Sequence, residues 1–538
     1  MTSRPLIDQR EQIKKSGGVS SRSSFSNWLS YFDALSAVKD DNLAARWANR
    51  AIVFFLLLFS LSLPHSIAAA QISLDLTFIA WIARDLTLRR FHFARTPIDL
   101  PLLCFASLTI ISSVFSVEPS ISLRKLKTLL LFGVIYIVAT NLRPRGVHLL
   151  AGMLVVSSLV GVGFSLMEKF LGRGMIVAAI EPDSPLAGNK LQVGDVIWMI
   201  ARQRVFTQED VFQVIGRHRE GEIIEVEALH AGDPVPVALR VTEEIKTRSN
   251  PLGISIGGRS RQFRVSGFSR QFQTYAEQMQ IFAMLICGGL LTCFKLWRRR
   301  KRGFWLIIFC LLFLFFSTAL VLTASRAVIA AFIITVFFVS ISIGSRLASI
   351  IAIATALLLG GLGFYVITTA RQQTMMSFDD DSTTRRIAYM QAGLRVIPNH
   401  PLIGVGMDSH KRHWREWGFP GEYITHTHST PIQIAMDRGL PALVSFVWLM
   451  AAMMLMARRS YKRAEKRGDD FGQSLTLGAF GALIGFSASS LTNYNFGDSE
   501  ALMLLLFVIA LVVVKSNNVS EFGGNSPRTD TDATDARG

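Results

Sequence analysis

Two histidines near the end of a polar segment are the side chains best suited to proton transfer. They lie in the run His426-Thr427-His428-Ser429-Thr430-Pro431, directly before an apolar stretch. An imidazole can accept a proton near neutral pH, so His428 is a candidate general base, and His426 is a weaker candidate for the same cleft. The alternative is that His428 only caps the helix that follows.

We do not predict that these histidines bind a metal, but metal binding stays open as an alternative. A structural zinc ion takes four protein ligands and a catalytic one takes three. The other histidines of the segment and the four cysteines do not give ligands at a convincing spacing; they are His400, His410, His413, Cys104, Cys287, Cys293 and Cys310. We therefore expect neither a metal nor another cofactor.

Two arginines are candidates for holding a phosphorylated substrate. Arg326 follows Ser325 between two apolar stretches, and Arg385 lies in the run Thr383-Thr384-Arg385-Arg386. A guanidinium can bind a diphosphate through two parallel hydrogen bonds, which an ammonium does less well. The alternative for Arg326 is that its side chain only snorkels from a helix end.

The run that contains Arg385 opens an amphipathic stretch ending near Val396. A helix start is the positive end of the helix dipole, so arginines there are favoured when an anion lies close by. Arg386 and Tyr389 are therefore further candidates for substrate binding. The stretch leads to the turn Pro401-Leu402-Ile403-Gly404-Val405-Gly406, where the glycines allow a close backbone approach.

A third basic group contains Arg124 and Lys127, with Lys125 between them. These side chains either guide a phosphate headgroup or pair with anionic lipid.

The elements that must position these residues are membrane-spanning helices. Half of the 538 residues are hydrophobic, more than a soluble chain of this length would bury. A crossing takes about 20 apolar residues. Twelve apolar runs are candidate crossings, at residues 47–64, 67–84, 97–117, 123–142, 147–167, 275–296, 303–323, 326–343, 347–369, 431–457, 474–493 and 498–514. The first two are separate crossings only if Pro64 and His65 mark a turn and not a kink.

The short connections between these runs indicate their orientation. Arginine and lysine cluster in alternate connections, such as Lys295 to Arg302 and Arg458 to Arg467, which places those connections in the cytoplasm. Both termini are then cytoplasmic, and two long insertions, 168–274 and 370–430, face the periplasm. The net charge of +17 follows from the same rule, so nucleic acid is not an expected partner.

The first insertion resembles a PDZ domain. The resemblance rests on an alternating strand from Gly174, on Ser184-Pro185 interpreted as a helix start, on Leu191 to Ile197 opening the next strand, and on an amphipathic stretch at Gln208 to His218. PDZ domains bind extended peptides beside a sheet edge. Leu252, Gly253 and Ile254 are candidates for the amide-rich loop of a permuted domain. The alternative is a rigid spacer that binds no peptide.

The membrane part resembles the O-antigen ligase and polymerase family. The resembling features are Ser325-Arg326, the arginine-led helix at Arg385, the Pro401 to Gly406 turn, and His428-Ser429 followed after nine residues by Gly439. Ala442 departs from the glycine, threonine or tyrosine usual in ligases, which leaves ligase and polymerase both open.

This resemblance implies a mainly helical fold of about twelve transmembrane helices in the bacterial inner membrane. It implies transfer of a glycan from undecaprenyl diphosphate to an acceptor hydroxyl at the periplasmic face, without a metal. His428 would be the general base, and Arg326 and Arg385 would hold the diphosphate. The acceptor would be lipid A core, another glycan or a protein, and the PDZ-like domain would recruit a peptide or protein partner.

Two other functions remain as alternatives. A polymerase of the same family would use the same residues with a second lipid-linked repeat unit as acceptor. A transporter or flippase would also have many crossings, but it predicts internal repeats and charges at the bilayer midplane.

The domain prediction divides the chain into seven parts. These are a cytoplasmic flexible tail (1–45), helices 1 to 5 (46–167), the PDZ-like domain (173–261), helices 6 to 9 (275–369), a periplasmic catalytic loop (370–430), helices 10 to 12 (431–515) and a disordered cytoplasmic tail (516–538).

Overall fold

The chain is mainly helical, with one small sheet. The computed structural model describes residues 20–188, 191–230, 233–261, 263–269, 271–300, 303–342, 350, 354–355, 358–363, 365, 381–421 and 426–517. The helices before the sheet are α1 (Ser20–Leu35), α2 (Leu43–Ser62), α3 (Ile67–Leu88), α4 (Asp99–Val114), α5 (Pro119–Lys125), α6 (Gly133–Asn141) and α7 (Pro144–Leu171).

The helices after the sheet complete the membrane part. They are α10 (Phe272–Arg300), α11 (Phe304–Leu322), α12 (Arg326–Ser342), α13 (Asp381–Val396), α14 (His410–His413), α15 (Thr430–Arg438), α16 (Leu440–Arg467), α17 (Asp470–Ser489) and α18 (Ser499–Asn517). Short 3-10 helices occur at Leu126–Phe132, Ile397–Asn399 and Asn495–Gly497.

Eight helices in the described part of the chain are long and apolar enough to cross a membrane. They are α2, α3, α7, α10, α11, α16, α17 and α18. This count is lower than the predicted twelve but compatible with that fold class. Two further predicted crossings correspond to shorter apolar helices, Asp99–Val114 and Arg326–Ile341.

The other two predicted crossings have different explanations. The run at 123–142 is divided into α5, the 3-10 helix Leu126–Phe132 and α6, so no single helix reaches the required length. The run at 347–369 lies largely outside the described residues.

Helix α18 forms the centre of the membrane part. Every residue from Ala501 to Val514 is at most 4% exposed, because α6, α7, α10, α16 and α17 all contact this helix. A helix that is apolar on all sides is stable when other helices surround it. Its position in the core follows from that composition.

Helices α10 and α17 approach each other closely at two glycines. A Cβ atom on Gly288 would lie 2.5 Å from the backbone nitrogen of Gly478, and one on Gly478 would lie 2.6 Å from the Cα of Leu285. Small residues at such crossings let helix backbones pack in contact within a membrane. This crossing fixes α17, whose far end leads to the candidate site.

The sheet domain lies between α7 and α10. Its elements are β1 (Met175–Ile180), β2 (Val196–Ile200), β3 (Gln203–Arg204), α8 (Gln208–Gly216), β4 (Ile223–His230), β5 (Asp233–Arg240), α9 (Glu243–Thr247) and β6 (Ile254–Ile256). The strands pair in the order β5-β4-β2-β1-β6, with β3 on β2, and every pair is antiparallel.

One local prediction in this domain is wrong. Ser184-Pro185 does not begin a helix, because residues 185–188 form a turn. The Ser184 hydroxyl donates to the Leu252 carbonyl at 2.6 Å and accepts from the Leu186 amide at 3.1 Å. This pair of bonds ties the turn to the segment before β6.

A buried ion-pair group fixes the sheet domain to the helical part. Glu168, in the last turn of α7, accepts from Arg173 Nε at 3.0 Å, from Arg173 Nη2 at 2.6 Å and from Arg204 Nη1 at 2.6 Å. Arg173 also lies over the Trp198 and Phe263 rings, at 4.9 and 4.3 Å from their centroids. Trp198 belongs to the same apolar cluster as residues of the helices. The sheet domain therefore packs against the helical part and is not held by its chain connections alone.

Helix α1 lies within the segment predicted to be a flexible tail. Arg50 donates to both carboxylate oxygens of Asp33, at 2.9 and 2.8 Å, and Ser36 forms a bridge with Leu142. These contacts join the end of α1 and the residue after it to the helical part.

Candidate functional site

His428 lies in a loop between α13 and α15 with an unusual backbone conformation. Its φ is +56°, in the left-handed region that a residue with a side chain enters only at a cost in free energy. Its amide donates to His426 Nδ1 at 3.1 Å. The two imidazole rings meet edge to face at 4.3 Å, and Tyr389 from α13 stacks on the His428 ring at 5.7 Å. The His428 ring is thus held from two sides.

The residues around this loop are tied to α17 and to the segment that follows it. The Thr430 hydroxyl donates to the Asn493 carbonyl and lies 3.0 Å from Asn495 Oδ1. The Thr427 amide donates to Gln433 Oε1 at 2.7 Å. These bonds oppose relaxation of the left-handed conformation at His428.

The glycine-rich turn at 401–406 supports the other end of α15. The Val405 and Gly406 amides donate to the Met436 and Asp437 carbonyls at 2.9 and 2.8 Å. Gly404 has a φ of +73°, and a Cβ there would lie 2.5 Å from the backbone nitrogen of Arg438. Only glycine allows this approach, which explains why the turn requires that residue.

A polar cavity of about 430 Å³ adjoins both histidines. Its other basic and acidic lining residues include Lys125, Asp408, Lys411, Asp437 and Arg438. Three more carboxyl groups line it from α10 and from the chain at the start of α18, and they are Glu277, Asp498 and Glu500. The cavity therefore combines basic side chains, carboxyl groups and two imidazoles in one lining.

Asp408 links the basic residues of this wall. Its carboxylate lies 2.7 Å from Lys125 Nζ and 3.1 Å from Lys411 Nζ. Burial alone would raise the pKa of Asp408, but the two lysines lower it below its usual value. Asp408 also has a positive φ, of 61°. The two ammonium groups are held at the cavity by one ionised carboxylate.

Both candidate histidines are neutral over a wide pH range. Burial, followed by the charges of His426 and Arg386, lowers the pKa of His428 to about 3. Burial likewise lowers the pKa of His426 to about 4, with His410 and Arg386 acting in the same direction. A neutral imidazole is the form that can accept a proton.

The basic residues expected from the sequence do not belong to the wall of this cavity. Arg326, Arg385, Arg386, Arg124 and Lys127 are absent from the described lining residues. Arg385, Arg124 and Lys127 are exposed, while Arg326 and Arg386 are half-buried.

Two of the predicted residues relate directly to the histidines. The charge of Arg386 acts on both imidazoles, and Tyr389 contacts one of them. Arg326 directly follows Ser325, and Ala324 before that serine has a φ of +50°. In the third basic group it is Lys125, and not Lys127, that faces the cavity.

Most of the lining residues were not found as site residues from the sequence, among them Asp408, Lys411, Arg438 and Tyr494. The clearest available signal was Arg438, because it is a charged residue that directly precedes Gly439 of the family pattern. Tyr494 contacts His426, with 5.6 Å between ring centroids.

No group of three or more possible metal ligands occurs among the residues that the structure describes. His410 and Asp437 form a buried pair, 3.7 Å apart.

The candidate peptide-binding residues form the corner before β6. Leu252 and Ile254 are both 1% exposed, and Gly253 has a φ of +57°. The Gly253 amide donates to the Asn250 carbonyl at 3.0 Å. That amide is therefore used within the domain, whereas β6 itself is an edge strand.

Comparison with known families gives two matches. Residues 311–447 match the family model described as O-antigen ligase, and residues 158–241 match the model described as PDZ domain. The first range includes Arg326, Arg385 and His428, and the second ends before β6. Among curated proteins, no significant match was found. Both resemblances predicted from the sequence are confirmed over these residues, in a chain with several membrane-spanning helices.

Proposed function

We propose that this chain, which combines an O-antigen ligase domain with a PDZ domain, transfers a glycan from undecaprenyl diphosphate to an acceptor hydroxyl. The observation that carries the proposal is His428, which lies within the ligase match, borders the polar cavity and holds a neutral imidazole. The ligase match supports this reaction class, and the cavity supports the place where it occurs.

The reaction needs one proton transfer and stabilisation of one anion. The acceptor oxygen attacks the anomeric carbon, His428 takes the proton of the acceptor hydroxyl, and the bond from the anomeric carbon to the diphosphate oxygen breaks. Negative charge then grows on the leaving diphosphate. Arg326 and Arg385 are the proposed diphosphate ligands, with Arg386 close to the histidines.

Substrate binding would make His428 a stronger base. A pKa near 3 keeps the ring neutral, but it also makes the free enzyme's imidazole a weak proton acceptor. A diphosphate beside the ring would bring negative charge, which raises the pKa of a histidine. The pKa of His428 would rise toward its ordinary value only when the donor is bound. Donor binding would therefore activate the base.

The basic connections support a periplasmic site in the bacterial inner membrane. The basic end of α16, Arg458 to Arg467, lies one membrane-length helix away from Gly439 and the site. Positively charged connections favour the cytoplasm. The cavity and the PDZ domain, which follows the far end of α7, would then face the periplasm.

The acceptor is proposed to be a lipid A core sugar, another glycan or a protein. A polymerase that joins two lipid-linked repeat units would use the same histidine and cavity. The PDZ match favours a peptide or protein partner as part of the system, bound along the β6 edge.

The test compares lipid-linked and surface glycans in a deletion strain carrying wild-type protein, His428→Ala or His400→Ala. His400 is the matched control, since it is a half-buried histidine of the same segment that does not line the cavity. Polymer that stays on the polyprenyl carrier in His428→Ala alone supports a ligase. Single repeat units on the acceptor support a polymerase. Wild-type glycans in His428→Ala would contradict the proposal.

A further inference from the structure

Arg438, the last residue of α15, is a buried cation with incomplete hydrogen bonding. Its side chain is 4% exposed, and its Nη2 donates to the Met407 sulfur at 3.0 Å. Nε and Nη1 are both buried and make no hydrogen bond within the described part of the chain. A buried charge is costly unless it is paired and hydrogen-bonded, so this arrangement calls for a partner.

The neighbours of Arg438 supply no anion, although the Tyr494 hydroxyl interacts with its guanidinium. Its guanidinium forms no ion pair with a described carboxylate, and the adjacent Asp437 carboxylate accepts from Gln433 Nε2 at 2.9 Å. Phe105 and Phe496 have ring centroids 5.8 and 5.9 Å from Arg438 Cζ. Such rings help to stabilise the buried cation, but they offer no oxygen acceptor to the Nε and Nη1 N–H groups.

The cavity gives Arg438 access to a ligand. Arg438 lines the same cavity as His426 and His428. Tyr494 lies between them: it contacts the His426 ring at 5.6 Å, and the charge of Arg438 opposes the rise of its pKa to about 12 that burial causes. A ligand bound at Arg438 would therefore lie in the chamber that also contains the proposed base.

The backbone around Arg438 is also held in place. The turn at Gly404 packs directly against the Arg438 backbone nitrogen, and the Asp437 carbonyl accepts from the Gly406 amide and from the Ser112 hydroxyl at 2.9 Å. The side chain is thus presented from a fixed helix end, and not from a mobile surface position.

We infer that Arg438 binds an anionic group of the substrate inside this cavity, through Nε and Nη1. These two N–H groups lie on different edges of the guanidinium, and each can donate a charge-assisted hydrogen bond to a phosphate or carboxylate oxygen. The inference rests on the proposed function, in which the anion is the donor's diphosphate. A carboxylate of an acidic sugar offers acceptor oxygens of the same kind, and the experiment below separates the two sources.

A ligand-binding Arg438 and a purely structural Arg438 predict opposite effects of substitution on the melting temperature. Removal of an arginine that holds the fold lowers the melting temperature. Replacement of an unpaired buried charge by an apolar side chain is neutral or stabilising. Arg438→Met should therefore keep or raise the melting temperature of the ligand-free protein and should weaken anion binding.

The experiment uses the full chain in nanodiscs of a zwitterionic lipid, with Arg438→Met, Arg438→Lys and His428→Ala. Binding is measured with farnesyl diphosphate, with farnesol as its uncharged control, and with a disaccharide that contains glucuronate. Arg438→Met should weaken binding of an anionic probe by about tenfold or more, the loss expected for hydrogen bonds to a charged group. Arg438→Lys should bind more weakly than wild type, because it keeps the charge but not the planar group.

The probes identify the anion. A loss confined to farnesyl diphosphate assigns Arg438 to the leaving group, and a loss confined to the glucuronate probe assigns it to the glycan. Unchanged affinity for both probes in Arg438→Met would overturn the inference. If Arg438→Met does not fold, Arg438→Lys decides in its place, and wild-type affinity for both probes in that variant would overturn the inference.

Failure of the proposed function gives a different pattern. In that case His428→Ala still transfers lipid-linked glycan at the wild-type rate, whatever Arg438 binds. Failure of this inference alone leaves transfer dependent on His428, while Arg438→Met keeps wild-type affinity for both probes.

Discussion

At the scale of single residues, the site depends on an imidazole whose burial keeps it neutral. Tyr389 and His426 contact the ring, and Arg386 adds positive charge nearby. Burial and the charges of His426 and Arg386 favour the uncharged form. The identity of His428 as the candidate base could be predicted from its position before an apolar helix, but its burial could not, since it depends on residues far away in the sequence.

The pH dependence of transfer follows from this environment. A base works when it is deprotonated, so its activity is lost as pH falls through its pKa. Because the pKa of His428 in the free protein is lowered to about 3, we expect kcat/KM to show no loss centred near the ordinary histidine pKa of about 6.5. The measurement is kcat/KM from pH 5 to 8 with purified protein. An acid limb with a midpoint near 6.5 would contradict this account of the ring.

A matched pair of lysines tests which side chain of the third basic group meets the substrate. Lys125 lines the cavity and binds Asp408, whereas Lys127 is exposed. Lys125→Met should raise KM for the lipid-linked donor by about tenfold, since it removes a charged hydrogen-bond donor from the wall. Lys127→Met should leave KM within about twofold of wild type, a change too small to correspond to a lost hydrogen bond. Equal effects of the two substitutions would contradict the observed side-chain directions.

At the scale of elements, the apolar runs were predictable, and the breaks between them were less so. Length and composition alone identify α2, α7 or α16 as crossings, because only a helix satisfies its backbone in lipid. The 3-10 helix Leu126–Phe132 has no such local signal. This 3-10 helix follows Lys125, which lines the cavity. Its formation depends on packing against α18 and α6.

The turn at Gly404 is the element that fixes the end of α15. Gly404→Ala should lower the free energy of unfolding for two reasons: a positive φ costs an alanine roughly 1–2 kcal/mol, and overpacking against Arg438 costs roughly a further 1–3 kcal/mol. Gly418→Ala is the matched control, because Gly418 also has a positive φ, of 68°, but has no backbone atom close to it.

The measurement is thermal or denaturant unfolding of both variants in detergent. Gly404→Ala should be the less stable of the two, and only this variant should also lose transfer activity. Similar unfolding of the two variants would show that the close approach has no energetic consequence.

At the scale of the whole molecule, the small sheet domain, which lies mostly within the PDZ match, is docked on the helical part that contains the O-antigen ligase match. Its two ends meet where Arg173 and Ser260 exchange backbone hydrogen bonds at 2.7 and 3.1 Å. The resemblance of both parts to known families could be found from the sequence. Their docking could not, since Glu168 and Arg204 are separated by 36 residues and their pairing depends on the folded sheet.

Deletion of Arg173 to Arg261 should leave the membrane helices inserted. The adjacent ends allow a short glycine and serine linker to close the gap, and the helices have their own apolar core. The melting temperature should fall, because Trp198 and its neighbours no longer cover the helical part. Protease accessibility of the loops and thermal unfolding are the measurements, and loss of insertion would contradict the modular arrangement.

The most direct test of the central claim is glycan transfer by the purified full chain from an undecaprenyl-diphosphate donor. His428→Ala should lower the rate by about 10² to 10⁴-fold, the usual contribution of a general base, while it leaves donor affinity and melting temperature near wild type. His400→Ala should transfer at the wild-type rate. Transfer by a folded His428→Ala protein within a few-fold of wild type would contradict the assignment of this residue and the mechanism built on it.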